Sequence, residues 1–163
     1  MSDVKASANP LFLREEELRR GMELLFYAYR DFTADADRLL EGYNLGRAHH
    51  RVIYFVGRHP EITVSELLII LRITKQSLSR VLNRLVDEGY IDQKPGLRDR
   101  RQRRLSLTEK GRDLERRLTE ANRKRLAQAY RAAGAQAVEG FCTVLSGLMD
   151  DDAKALIDPG NGR

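Results

Sequence analysis

Between Thr63 and Leu107 the chain changes its hydrophobic period from helical to strand-like, and few folds accommodate the order in which it does so. "TVSE" (Thr63–Glu66) is a capping box: the threonine hydroxyl can accept the amide three residues on, while Glu66 reaches back to the amide of Thr63. The short helix that it opens carries Leu67, Leu68, Ile70 and Leu71. After "RI", Thr74 caps a second helix with Leu78, Val81, Leu82, Leu85 and Val86 along one side. Gly89 then supplies the left-handed residue that commonly ends a helix. "YIDQK" and "RRLSL" follow as strands on either side of "PGLRDR", where Pro95-Gly96 marks a turn. Two short capped helices with a tight turn, followed at once by a two-stranded hairpin, predict a winged helix-turn-helix.

Amphipathic seams flank this unit. Leu18, Met22, Leu25, Tyr29, Phe32, Ala36 and Leu39 alternate four- and three-residue steps, the pattern of a long helix with one face for a partner. "EGYN" interrupts it, and Asn44 is expected to cap a helix with the stripe Leu45, His49, Val52, Ile53 and Val56, ending before "RHP". Thr108 caps a further helix carrying Leu114, Leu118, Ala121, Leu126 and Ala129. After "AAGAQ", a last helix carries Val138, Phe141, Leu145 and Leu148. The expected fold is mainly α with a small β wing, six helices in all. Its expected parts are a disordered N-terminal tail (1–10), an N-terminal dimerisation helix (11–43), the winged helix-turn-helix (44–107), C-terminal dimerisation helices (108–150) and a flexible tail (151–163). The outer seams are too long and too apolar to stay exposed on a monomer, so a homodimer is expected.

Charge points to the partner. The net charge is +5, and the segment from Arg72 to Arg104 holds ten basic residues against four acidic ones, which leaves the rest of the chain close to neutral. Such a localised field suits phosphates, whose neutralisation releases condensed counterions. On a helical wheel of about 100° per residue, Gln76, Arg80, Asn83 and Arg84 fall opposite the apolar side, flanked by Ser77 and Ser79, with Thr74 and Lys75 at the start. Arginine pairs with guanine, glutamine or asparagine with adenine, and hydroxyls with phosphate or base. A polar face alone is common on a solvated helix; the capped helix before this one and the basic hairpin after it make it a reading face for double-stranded DNA. "RDRRQRR" (98–104) occupies the tip and return strand of the wing. Arg98, Arg100, Arg101 and Arg103 there suit a narrow minor groove, where negative potential concentrates. Asp99 would repel phosphate, so its expected role is to bond to a neighbouring guanidinium and fix its orientation.

"DRRQRRLSLTEKG" (99–111) resembles the wing signature of the MarR transcriptional regulators, Asp-x-Arg, a strand, then Leu-Thr-x-x-Gly. "TKQSLSRVLNRLVDEGYI" (74–91) is similar to that family's recognition helix and following strand, and the resemblance spans about residues 15 to 150. It implies an obligate homodimer, built by the N- and C-terminal helices, whose two lobes grip a pseudo-palindromic operator. By the same motif Arg101 is the arginine that enters the minor groove and Asp99 its orienting partner. Two lobes placed ~34 Å apart would read successive major grooves. In the family, ligands bind between the dimer helices and the winged lobe. Tyr27, Tyr29, His49, His50 and Tyr54 are the candidates here for contacts to a small-molecule effector, although each also suits core or interface.

Catalysis is not expected. The sequence has no phosphate-binding glycine loop, no Gly-x-Ser-x-Gly elbow and no His-Glu-x-x-His. His49 and His50 are adjacent on a helix and point apart, with His59 and Cys142 distant, so neither a metal site nor a cofactor is expected. Cys142, the single cysteine, reads as a small packed residue beside the last seam. No apolar run approaches the ~18 residues of a membrane span, and "MSDVKASANP" lacks the apolar core of a signal peptide, so a cytoplasmic chain is expected. The expected function is a sequence-specific transcriptional regulator. The alternative is a winged helix that docks an acidic protein partner without reading DNA sequence.

Overall fold

Three threonines open three helices and fix the middle of the molecule. Thr63 Oγ1 accepts the Glu66 N–H at 3.2 Å, and Glu66 Oε2 accepts the Thr63 N–H at 2.8 Å. Thr74 Oγ1 accepts the Ser77 N–H at 3.1 Å, and Thr108 Oγ1 the Gly111 N–H at 3.0 Å. Each such cap stabilises its helix by about 1 kcal/mol.

Around these caps the computed structural model, which describes residues 10–157, arranges mainly helices and one small sheet. A 3-10 turn (Leu11–Leu13) precedes α1 (Glu15–Glu41), α2 (Arg47–Arg58), β1 (Ile62–Thr63), α3 (Val64–Leu71) and α4 (Lys75–Asp87). β2 (Ile91–Pro95), β3 (Arg103–Leu107), α5 (Glu109–Ala133), α6 (Ala135–Leu148) and α7 (Asp151–Ile157) complete it. The expected tails at 1–9 and 158–163 lie outside the described residues.

Four local expectations need correction. Asn44 does not cap α2: it sits at φ 53°, a left-handed turn residue, and the cap is Gly46, whose N–H donates to His49 Nδ1 at 3.1 Å. The wing has a third strand, since β1 pairs antiparallel with β3 in the order β1-β3-β2, with Ile62 opposite Leu105. Residues 151–157 of the expected flexible tail form α7, so the described residues contain seven α-helices rather than six. Cys142 is exposed on the single chain, not packed.

The core lies in the winged lobe and where α1 and α5 cross it. Leu40, Val52, Ile53, Leu67, Leu78, Leu85, Ile91, Leu105, Leu114 and Leu118 are fully buried. Away from the lobe the pattern reverses: Leu18, Met22, Leu25 and Phe26 of α1 are exposed, and α6 buries no residue.

One junction aims the rest. A Cβ on Gly111 would collide with the Tyr90 carbonyl, so glycine lets α5 start directly against the end of α4. That carbonyl accepts the Thr108 N–H at 3.1 Å, the Thr108 hydroxyl donates to the Gly89 carbonyl at 2.6 Å, and Lys110 Nζ donates to the Glu88 carbonyl at 2.7 Å. The Lys110 ammonium also stands 4.4 Å from the Tyr90 ring centre, an added cation–π attraction. "LTEKG" therefore clamps α5 to α4 and β3 together.

Candidate nucleic-acid interface

The clamp and the buried side of α4 determine what α4 presents. Leu78, Leu82 and Leu85 are buried, whereas Thr74, Lys75, Gln76, Ser77, Ser79, Arg80 and Asn83 are exposed. The Thr74 hydroxyl donates to Ser77 Oγ at 2.8 Å, so these two serve the helix cap. Lys75, Gln76, Ser79, Arg80 and Asn83 make no side-chain hydrogen bond among the described residues, which leaves a row of free donors and acceptors along one face. Arg84 does not join them. Its Nε donates to Glu88 Oε1 at 2.9 Å and its Nη2 to the Asn44 carbonyl at 2.5 Å. The long side chain folds back to the α1–α2 turn instead of pointing outward.

The wing tip is braced from inside. The Gly96 N–H donates to the Gln102 carbonyl at 2.6 Å and the Gln102 N–H to the Asp99 carbonyl at 3.1 Å. A Cβ on Gly96 would stand 2.5 Å from the Asp99 carbonyl oxygen, so this close approach requires glycine. Asp99 Oδ1 accepts the backbone N–H of Arg101 at 2.9 Å, and Asp99 forms no ion pair among the described residues. The expected bond to a guanidinium is thus replaced by an Asx-type turn: Asp99 shapes the loop, not an arginine side chain. Arg98, Arg100 and Arg101 are exposed, with no side-chain partner among the described residues, while Arg103 Nη1 donates to Gln93 Oε1 at 2.9 Å across the hairpin.

A second feature is a cleft of about 640 Å³ where α1, α2, α3 and α5 meet. Tyr29, His50 and Tyr54 line it, with Arg51 Nη2 donating to the Tyr29 hydroxyl at 3.1 Å. Burial lowers the pKa of His50, against the opposing pull of Asp37 and Glu115. Two sequence candidates lie elsewhere. Tyr27 is exposed, edge-on to Phe26 and 4.8 Å from the Arg30 guanidinium, and the His49 ring nitrogen serves the α2 cap. Sequence reasoning missed Phe32, Ile70 and Asn122 in the lining. Asn122 Oδ1 is buried with no hydrogen-bond partner among the described residues. Asn122 stands on α5, far along the sequence from the lining residues of α1, α2 and α3, so no local signal marked it.

Among the described residues, no group of three or more His, Cys, Asp or Glu side chains could hold a metal, and no helix is long and apolar enough to cross a membrane. The MarR family model matches residues 43–102, the span from the α1–α2 turn to the wing. The HTH-type transcriptional regulator PetP of Rhodobacter capsulatus is 56% identical over 140 residues, covering 86% of this chain and 84% of its own. The chain belongs to the MarR family. As a MarR-type helix-turn-helix transcriptional regulator it also shares its fold with distant solved members. Streptococcus pneumoniae FabT, solved in complex with DNA, superposes with a TM-score of 0.72 at 22% identity, over 80% of this chain and 94% of that one. A mutant MarR from E. coli, complexed with operator DNA, gives 0.64 at 22% identity, over 87% and 100%.

Proposed function

We propose that this MarR-type regulator acts in the cytoplasm as a homodimer that binds a pseudo-palindromic operator, α4 of each lobe in a major groove and each wing in the adjoining minor groove. The observation that carries this reading is the exposed, unengaged row of Gln76, Ser79, Arg80 and Asn83 on a helix locked from behind by buried leucines. Free donors and acceptors of this kind can pair with base edges in a major groove, because no internal bond must break first. Its fold relatives FabT and E. coli MarR were solved on DNA, which supports the same use here. Dimerisation is supported by the exposed apolar residues of α1 and by Phe141, Val144 and Leu148 of α6.

A small-molecule effector filling the 640 Å³ cleft would regulate binding, since the cleft touches both α3 of the reading lobe and the α1 and α5 helices. No catalytic step is part of this reading. The test is a footprint on the DNA upstream of the protein's own coding sequence. A protected pseudo-palindrome that survives competitor DNA supports the proposal. Weak, salt-sensitive and sequence-blind binding would favour a protein-docking winged helix instead.

A further inference from the structure

Leu97 lies in the wing loop, next to Gly96, and is 86% exposed, more than any other large hydrophobic side chain among the described residues. Most other exposed large apolar side chains belong to helices, α1 and α6 above all, whereas Leu97 stands in the wing loop with exposed Arg98, Arg100 and Arg101 beside it. Solitary exposed leucines are ordinary on protein surfaces. This one is distinguished by its support: the Gly96–Gln102, Gln102–Asp99 and Asp99–Arg101 hydrogen bonds hold the residues around it in one compact turn. Leu97 is not part of the core, so folding does not explain why an apolar side chain is exposed beside the most basic segment.

We propose that Leu97 is an apolar wedge that enters the minor groove between the wing arginines, and that it makes the protein select a deformable base step which no hydrogen bond reads. The inference rests on the DNA-reading function proposed above. The arginines neutralise the phosphates that line the groove, and the branched leucine side chain packs on the sugar walls and the edge of the base step. Pushing an apolar group against a base step partly unstacks it, and the cost is lowest at pyrimidine–purine steps such as TA and CA. The wing therefore discriminates by deformability, with Arg98, Arg100 and Arg101 supplying attraction and Leu97 the selection.

The experiment uses the full-length protein and the protected duplex, in versions that carry TA or GC at the step beneath the wing. Fluorescence anisotropy at fixed salt gives affinity, and end-to-end energy transfer gives the DNA bend. The native protein is expected to prefer the TA duplex on the order of tenfold, with Leu97→Ala losing that preference and part of the bend. Thermal unfolding should stay unchanged for this variant, because Leu97 is outside the core. Leu97→Met, which keeps apolar reach, should retain the preference. Leu97→Lys separates wedge from charge: tighter binding to every duplex together with an unchanged step preference would overturn the wedge. Leu97→Ala matching the native protein on both duplexes would overturn it too. A native protein that does not distinguish operator from random duplex would overturn the DNA-reading proposal itself, and this inference with it.

Discussion

The Asp99 carboxylate holds Arg101 through its backbone, Oδ1 accepting the Arg101 N–H at 2.9 Å, while the Arg101 guanidinium extends free. An amide oxygen could accept the same bond, so the turn depends on the geometry of residue 99 and not on its negative charge. Asp99→Asn should keep operator affinity and bind random duplex slightly more tightly, because an anion has left a basic patch. Asp99→Ala should loosen the turn and weaken operator binding by about 1 kcal/mol, the net value of one such hydrogen bond, with random-duplex binding also slightly raised. Anisotropy titrations of both variants at one ionic strength decide it. Equal losses from both would return the role to the charge.

Arg80 and Arg84 occupy the same helical face by sequence and should behave differently. Arg80→Ala should lose about 1–3 kcal/mol on the operator and less on a scrambled duplex, as expected for a base-edge contact. An equal loss on both duplexes would make Arg80 a phosphate contact. Arg84→Ala removes the bond to the Asn44 carbonyl. It should cost about 1 kcal/mol in urea unfolding and leave the operator-to-random ratio unchanged.

Gly111→Ala offers a test in which two principles give opposite signs. Helix propensity alone favours alanine by about 1 kcal/mol within a helix. The collision of its Cβ with the Tyr90 carbonyl forces α5 away from α4, an overpacking cost of about 1–3 kcal/mol beyond the propensity gain. The expected result is a lower urea midpoint with an unchanged slope. A stabilised variant would mean that the clamp is loose enough to shift.

These contrasts also show what was legible in the sequence. The caps at Thr63, Thr74 and Thr108 are local events between residues three apart, and each stands where the sequence placed it. Asn44 misled because asparagine suits two roles, a helix cap and a left-handed turn, and only the path from α1 into α2 selects the second. β1 has two residues and no periodicity of its own; it exists through pairing with β3, Ile62 with Leu105 and Thr63 with Arg104. The wheel placed Arg84 outward by its Cα direction, yet a side chain of that length reached back to a carbonyl forty positions away. The cleft shows the same limit: Tyr29, His50 and Tyr54 came from choosing the right helices, but Asn122 joins them only through the packing of α5.

The exposed seams of α1 and α6 carry the assembly prediction. Phe26, Met22, Phe141 and Val144 are each exposed on the single chain, and large apolar side chains left exposed in such number are expected to meet a partner. The full-length protein should sediment as a dimer at micromolar concentration. Removing residues 135–163 should cause dissociation or aggregation, because α6 is lost with its share of the seam. A soluble, well-folded monomer from the full-length chain would refute the two-lobed arrangement.

His50 gives the cleft a pH signature. Burial lowers its pKa below the ordinary imidazole value, and Asp37 and Glu115 only partly oppose that. The unfolded chain takes up this proton near pH ~6.5, the folded one at lower pH. Between the two pKa values the unfolded state binds more protons, so stability rises with pH across that window and falls as pH drops from about 6.5 toward the folded pKa. His49, whose pKa is also lowered by burial, adds a change of the same sign. His50→Gln cannot titrate and keeps His49 intact. Thermal unfolding of both proteins at several pH values between 5 and 8 should show the native protein losing more stability than the variant on acidification. Curves that stay parallel would place His50 in contact with solvent in both states and remove it from the buried lining of the cleft.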